Sequence, residues 1–409
     1  MHYNVAVIGG GPAGLMAAGR AGELGAKVIL LEKNNQLGIK LLMTGGGRCN
    51  LTNQHDNRQL ATSFGRNGQW LLSGLSKFGP DEVISFFNQR GLAIKLEDDG
   101  RVFPATDKSQ SVLQVLTDYL SEYRVDIRLA AEVKQVAVDN NKITKLLLVS
   151  GQEIRADKFI ICSGGQSYPT TGSTGRAYEW LRQLGHRIIE PRPALVPIIL
   201  KDRFIQDLEG LSLPNVEIKA YHHEMKICST RGPVIFTADG LSGPAGLNIS
   251  RLINRQPLQE SFLRLDLLPD LSFEELDQQL RAEFGSSNKA LKTGLGQFIP
   301  GRLAEVIINI LGLTAAQPLN SISRFQRRQL VGLLKEFNLA VSSLAGYEQA
   351  MITSGGVDLA EVDQRTMQSK IISNLYLAGE LLNLDGPTGG YNLQLCWTTG
   401  YLAGQAAMC

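Results

Sequence analysis

Six residues near the N-terminus, Gly9-Gly10-Gly11-Pro12-Ala13-Gly14, restrict the fold more than any other stretch of this chain. They match G-x-G-x-x-G and follow Tyr3-Asn4-Val5-Ala6-Val7-Ile8, a short apolar run suited to a strand buried on both faces. A helical stretch from Pro12 to about Leu24 comes next, then a second strand, Lys27-Val28-Ile29-Leu30-Leu31-Glu32. Each part has a physical task. Gly9 permits a tight turn, Gly11 lets backbone N–H groups approach a pyrophosphate, and Gly14 lets helix and strand pack closely. The helix start at Pro12 and Ala13 adds partial positive charge. Glu32 closes the second strand about 20 residues beyond the glycines, where a carboxylate accepts hydrogen bonds from ribose hydroxyls. Lys33 beside it is a further expected contact. This order predicts a dinucleotide site but does not separate NAD from FAD.

The next segment separates them. Residues Gly38 to Thr44 lead into Gly45-Gly46-Gly47-Arg48-Cys49-Asn50-Leu51-Thr52-Asn53. In an NAD dehydrogenase the second strand runs directly into another crossover helix. A glycine-rich polar loop instead suits a bulky ring system lying against backbone. Lys40 and Arg48 are cations placed to meet phosphates or an electron-rich ring, with Gly46, Gly47 and Asn50 beside them.

The C-terminus repeats the theme. Leu375 to Glu380 reads as a buried strand ending in an acid; Asp385-Gly386-Pro387-Thr388-Gly389-Gly390-Tyr391-Asn392 and an apolar helix from Leu393 to Ala407 follow. Gly379, Glu380, Gly389, Gly390, Asn392 and Leu393 are therefore expected to face the cofactor. A helix N-terminus there can stabilise negative charge on a reduced flavin. The alternative is that these glycines only make tight turns.

On these motifs, together with Gly164-Gly165-Gln166-Ser167-Tyr168-Pro169 and Gly172-Ser173-Thr174-Gly175, the chain resembles the BaiN/YhiN-like flavoproteins, NAD(P)/FAD-dependent or aminoacetone-oxidase-like oxidoreductases. The matching motifs run from start to end. The resemblance implies an α/β fold with a discontinuous Rossmann-like FAD-binding domain, adenine contacts near Val133, cofactor contacts at Gly164 and Gly165, and reductive chemistry on activated C=C bonds. Substrates of such proteins range from steroid-like enones to uracil rings in ribosomal RNA.

The expected organisation is an FAD-binding domain from residues 1–190 and 350–409, a β-rich, barrel-like insert at 191–271 and a small helical insert at 272–349. Pro191, Pro193 and Pro197 mark the first boundary. Turns are expected at Leu213-Pro214-Asn215 and His222-His223, and a hairpin is expected around Asp139-Asn140-Asn141. Ser272-Phe273-Glu274-Glu275 has the spacing of a capping box at the start of the helical region. The insert is expected to cover the flavin. It carries no second G-x-G-x-x-G, so NAD(P)H would dock transiently at the flavin as electron donor.

A net charge of +2 gives no strong bias toward nucleic acid. Arg324, Arg327 and Arg328 are the one basic cluster through which RNA could bind, against the plainer reading of a solvated helix face. Five scattered cysteines form no C-x-x-C pair, which argues against a disulfide framework or zinc site and for reduced cytoplasmic thiols. The N-terminus enters a strand directly, so no signal peptide is expected. The uncharged stretch Val306 to Ile322 contains Asn309, Gln317, Pro318 and Asn320, which argues against a membrane span.

Without a dithiol relay, the chemistry left for the flavin is hydride exchange with a substrate carbon. Reduction of a conjugated C=C bond also needs a proton donor and a stabiliser for the developing enolate. Arg48, Tyr168 and Tyr391 are the candidates, although each could serve only to hold the flavin. Cys49 reads as a small residue packed near the cofactor rather than a nucleophile. Four functions stay open: a reductase of small-molecule C=C bonds, an RNA dihydrouridine synthase, an oxygen-using amine oxidase, and a non-enzymatic flavin-binding sensor.

Overall fold

The apolar run at the N-terminus becomes β1 (His2–Ile8), the glycine loop leads into α1 (Pro12–Glu23), and β2 (Val28–Leu31) follows. The structure, a computed structural model, describes residues 2–285 and 287–408; Cys409, one of the five thiols, lies outside them. The chain forms two units, Met1–Pro193 with Met351–Cys409, and Ala194–Ala350.

The first unit continues through α2 (Ile39–Met43), β3 (Thr52–Asn53), α3 (Asn57–Ser63), α4 (Gly68–Leu75) and α5 (Pro80–Gln89). Next come β4 (Ile94–Leu96), β5 (Arg101–Pro104), α6 (Ser109–Glu122) and β6 (Asp126–Arg128). Its first pass ends with β7 (Val133–Asp139), β8 (Lys142–Leu148), β9 (Glu153–Ile161), α7 (Arg176–Gln183) and β10 (Ile188–Ala194).

The second unit contains β11 (Ile198–Leu200), β12 (Ser212–His222), β13 (Met225–Phe236), β14 (Gly240–Ser242), α8 (Gly243–Ile253) and β15 (Ser261–Asp266). Four helices, α9 (Phe273–Phe284), α10 (Leu291–Leu295), α11 (Gly301–Ile310) and α12 (Arg324–Lys335), precede β16 (Phe337–Leu344). The chain then returns to the first unit with β17 (Ile352–Val357), β18 (Leu375–Leu377) and α13 (Tyr391–Ala406).

The central sheet runs β6-β2-β1-β9-β8-β7, with β18 also pairing β9. Its β6, β2, β1, β9 and β18 members are parallel, with Val7 opposite both Leu30 and Ile160 and Leu377 opposite Ile161. The sheet is therefore wound outward in both directions from the β1–β9 pair, which opens a crevice at the carboxyl ends of those strands. The expected hairpin joins β7 to β8, and Asn140 and Asn141 take left-handed φ values of 48° and 56°. Asparagine tolerates that conformation better than most residues.

The N-terminal helix and the last helix meet along small residues. A Cβ on Gly400 would lie 2.4 Å from the Ala13 carbonyl oxygen, and one on Gly404 2.3 Å from that of Ala17. The backbones of α1 and α13 thus approach too closely for any side chain between them. Trp397, fully buried on α13, donates its indole N–H to the Leu51 carbonyl at 2.9 Å. The chain's two ends share one hydrophobic core.

In the second unit, β11-β14-β13-β12-β15-β16 close into a barrel. Its interior takes alternate residues, including Val216, Ile218 and Ala220 of β12 and Leu263 and Leu265 of β15. The expected separate helical domain is not what forms. Strand β16 follows the helices and closes the barrel against β15 and β11, so Leu276, Leu280, Leu303, Leu330 and Leu334 join the barrel residues in one core. Lys335, at the end of α12, is buried and paired with Asp266 of β15 at 2.6 Å.

Three other expectations need adjustment. Leu213-Pro214-Asn215 makes no turn; it lies within β12, where a register shift between Leu213 and Val216 accommodates the proline. The helix α8 falls inside the stretch read as strand-rich. Of the three arginines on α12, Arg327 turns inward, its Nε and Nη2 donating to Asp277 on α9 at 2.8 and 3.2 Å. The capping box forms as expected: Ser272 Oγ accepts from Glu275 N at 3.1 Å, and Ser272 N donates to the Glu275 carboxylate at 2.7 Å.

The close helix pair gives the first test. Gly404→Val forces a side chain against the α1 backbone and should lower unfolding free energy by about 1–3 kcal/mol, measured by urea denaturation. An unchanged midpoint would contradict the close approach.

Candidate functional site

A cleft opens at the carboxyl ends of β1, β2 and β9, all of it within the first unit. Its floor is the glycine loop. At Gly9, φ is +106° and a Cβ would lie 2.4 Å from the Cys162 carbonyl oxygen; at Gly14 a Cβ would lie 1.8 Å from the Gly9 carbonyl oxygen. Gly11 differs, because a Cβ there would meet nothing within 4 Å and would project into open space. No side chain caps the start of α1, so the first N–H groups of that helix are free of such a partner. Glu32 comes up beside the loop, its carboxylate accepting from Gly10 N at 2.7 Å and Asn34 N at 2.8 Å.

The far wall is held by a polar cluster drawn from four parts of the chain. Lys40 Nζ donates to Glu380 Oε2 at 2.8 Å and also to Ser167 Oγ. Ser167 Oγ donates to Glu380 Oε1 at 2.8 Å, and the same oxygen accepts from Thr353 N at 2.8 Å. Thr353 Oγ1 accepts in turn from Gln166 N at 2.7 Å and Ser167 N at 3.2 Å. A Cβ on Gly165 would lie 2.3 Å from that Thr353 hydroxyl, so a glycine is needed for the threonine to reach the loop.

The opposite end is lined by Ala131, Glu132 and Val133, and Glu132 forms an ion pair there with Arg176 at the start of α7. Between the two ends Ser163 borders the cleft, and its hydroxyl is shielded from water without a hydrogen-bond partner among the described residues. A buried hydroxyl left unmatched is costly, and a polar ligand atom in the cleft would satisfy it. This orphan, together with the open cradle at Gly11, fits a dinucleotide.

The cleft wall includes Gly9, Gly11, Pro12, Ala13, Glu32, Lys33, Lys40, Val133, Gly164, Gly379, Glu380, Asn392 and Leu393. Gly14, Gly46, Gly47, Asn50, Gly165, Gly389 and Gly390 are not on it. Gly46 and Gly47 turn the chain at φ +67° and +87°, and Asn50 Oδ1 accepts from Val102 N at 3.3 Å. Gly390, at φ +98°, starts α13 against Thr52, whose carbonyl group would lie 2.4 Å from a Cβ. Asn392 holds the preceding turn: its Oδ1 accepts from Gly386 N at 2.8 Å and its Nδ2 donates to the Gly386 carbonyl at 3.0 Å.

The three catalytic candidates are not gathered at this wall. Arg48 pairs with Glu97 and Asp107 and lies 3.9 Å over the Phe103 ring, so two carboxylates and an aromatic face draw it onto β5 and its neighbours. Tyr168, at φ +50°, belongs to a turn whose carbonyl accepts from Thr171. The Tyr391 hydroxyl is 2.9 Å from His55 Nδ1, and burial pushes its phenol up from the usual range. Cys49 is fully buried away from the wall. Cys162 and Cys396 do border it, but burial raises the Cys396 thiol to about 12 and raises Cys162 as well, which leaves both as neutral packing groups.

Sequence reasoning missed Ser163, Thr353 and the Glu132–Arg176 pair. Only Ser163 carried a usable signal, since it directly follows a buried strand and precedes Gly164-Gly165.

The description "HI0933-like protein Rossmann domain" matches residues 3–406. The chain is 31% identical over 408 residues to "Ribosomal RNA dihydrouridine synthase" of Escherichia coli (strain K12), covering 99% of this chain and 98% of that protein. It is 30% identical over 408 residues to "3-dehydro-bile acid delta(4,6)-reductase" of Clostridium scindens, covering 98% of each. Among solved structures, a 3-ketosteroid-Δ4-(5α)-dehydrogenase from Rhodococcus jostii RHA1 superimposes with a TM-score of 0.54 at 14% identity, covering 100% of this chain and 97% of that one. That last likeness is one of fold.

Two glycine variants separate fold from ligand. Gly11→Ala should leave the melting temperature of the apoprotein unchanged and weaken FAD binding at least tenfold, about 1.4 kcal/mol. Gly9→Ala should destabilise the apoprotein itself. Equal behaviour of the two in thermal melts and FAD titrations would contradict the geometry.

Proposed function

This chain belongs to the HI0933-like Rossmann family, a family of FAD-dependent oxidoreductases, and we propose that it reduces a C=C bond conjugated to a carbonyl in a small molecule, with NAD(P)H as electron donor. The observation that carries this reading is the meeting, at one cleft, of the uncapped start of α1 and the first residues of α13, from opposite ends of the chain. A mononucleotide would need only the first of these.

In this reading Gly11, Ala13 and the start of α1 hold the pyrophosphate, Glu32 the adenosine ribose, and the backbone at Val133 the adenine. Lys40, Gly379, Glu380, Asn392 and Leu393 border the ring system. FAD, when bound, supplies two-electron transfer to a substrate carbon. The protein supplies the rest: the Lys40–Ser167–Glu380 cluster fixes a cation beside the cofactor, and the α13 N-terminus favours negative charge near it. The names of two relatives, a reductase and a dihydrouridine synthase, support reduction over the oxidase and sensor readings. Both describe adding hydrogen across an unsaturated bond.

One observation favours a second reading, reduction of uridine in ribosomal RNA. Phe325 on α12 is 71% exposed and is flanked by Arg324 and by Arg328 one turn on. An exposed aromatic beside two cations suits a stacked base and its phosphates.

Anaerobic mixing with NADH, then NADPH, should bleach the flavin band, and 2-cyclohexenone should restore it. A flavin that neither nucleotide bleaches would contradict the donor, and one that only oxygen restores would contradict the reductase. For the RNA reading, binding to uridine-containing ribosomal RNA should fall steeply with salt. Arg328→Ala should reduce the log–log salt slope by about 1.

A further inference from the structure

We propose that Ser167 and Glu380 hold the Lys40 ammonium with one N–H facing the ring end of the cleft, and that this fixed charge sets how readily bound FAD is reduced. This rests on the flavin reading above and adds to it the group that tunes the cofactor's reduction potential.

The direction follows from which partners stand behind the wall. An ammonium has three N–H donors. Two of those of Lys40 go to Ser167 Oγ and, at 2.8 Å, to Glu380 Oε2. Ser167 is fully buried and does not line the cleft, whereas Lys40 does. Glu380 is turned back in the same way: its Oε1 accepts from Ser167 Oγ and from the N–H of the fully buried Thr353, both at 2.8 Å. Among the described residues no further acceptor meets Lys40, so its third N–H is left for the cleft side.

The charges around it are sorted by position. Among the described residues the cleft wall carries six charged side chains: Glu32, Lys33, Glu132 and Arg176 at the adenosine end, and Lys40 and Glu380 at the other. Those at the adenosine end are engaged locally. Glu132 pairs with Arg176, Lys33 Nζ donates to Thr174 Oγ1 at 3.3 Å, and Glu32 accepts from the Gly10 amide. The Cys396 thiol, near Lys40 and Glu380, adds no charge, because burial raises it to about 12. A dinucleotide with its pyrophosphate at Gly11 and its adenine at Val133 extends its second ring system toward Lys40.

Reduction gives this placement its effect. A hydride equivalent from NAD(P)H carries two electrons: the donor C–H bond breaks, a bond to hydrogen forms on the ring system, and one negative charge is added there. The Lys40 ammonium attracts that charge and the Glu380 carboxylate repels it, and both act strongly once the ring has displaced water. The ammonium lies in front, with its free N–H toward the ring, so its effect is the larger.

The test is the midpoint potential of the FAD-loaded protein at neutral pH, titrated with dithionite against a reference dye. Lys40→Gln should lower the ratio of reduced to oxidised protein at least tenfold, a downward shift of about 30 mV for two electrons. Glu380→Gln should shift the potential upward, and Lys40→Arg should stay closer to the wild type than Lys40→Gln. A pair acting only as a scaffold would move both single neutral variants in the same direction or neither, and either result would overturn the proposal. Where a single variant holds no FAD, the double variant Lys40→Gln/Glu380→Gln, which leaves neither charge unpaired, takes its place and should lie below the wild type. A double variant at or above the wild-type potential, or one that also takes up no FAD, would sink the proposal too. These outcomes involve neither enone nor nicotinamide, so they leave the reductase reading standing. Wild-type protein that takes up no FAD would overturn the flavin reading, and the proposal with it.

Discussion

The carboxylate of Glu380 is the point on which the cleft depends. It joins Lys40 on α2, Ser167 from the loop after β9, and the backbone of Thr353 near the start of β17. These segments are far apart in sequence, and no hydrophobic contact could set their polar loops in register with comparable precision. Lys40 and Glu380 are only 21% and 16% exposed. Removing one partner would leave a poorly solvated charge, a loss of about 3–5 kcal/mol for a fully buried pair and less at this exposure. A ring of such bonds favours one arrangement because its members hydrogen-bond to one another.

That cluster works together with the α1–α13 contact. Glycines on α13 let the two helices approach until backbone meets side-chain-free backbone, and this brings the starts of both helices to one cleft. The N-terminal βαβ unit alone would hold the adenosine and pyrophosphate portion of a dinucleotide. The returning C-terminal segment, with Thr399 Oγ1 accepting from Gly379 N at 2.9 Å, adds a wall on which a second ring system can rest. The cofactor preference thus follows from chain topology more than from any single residue.

Much of this was legible because it depends on local rules. The strand–glycine–helix–strand order, the two-sided burial of β1, the Asn140-Asn141 hairpin and the Ser272 capping box all follow from conformational demands acting within a few residues. What was not legible depends on partners distant in sequence. Arg48 reads as a cofactor contact until Glu97 and Asp107 are seen to hold it. Pro214 reads as a turn because nothing local announces a bulge in a barrel strand. Thr353 looks like any strand threonine, and only the missing Cβ of Gly165 explains its place. The helical stretch 273–337 reads as a domain of its own, since the strand that closes the barrel comes after it.

In this reading one molecule of FAD engages segments from both ends of the chain. Hydrogen–deuterium exchange on the apoprotein and on the FAD-saturated protein tests it most directly. FAD should slow exchange together in residues 9–15, 32–34, 131–133, 163–176 and 379–394. Protection confined to the N-terminal glycine loop, with the segment from 379 to 394 exchanging as it does without FAD, would contradict it.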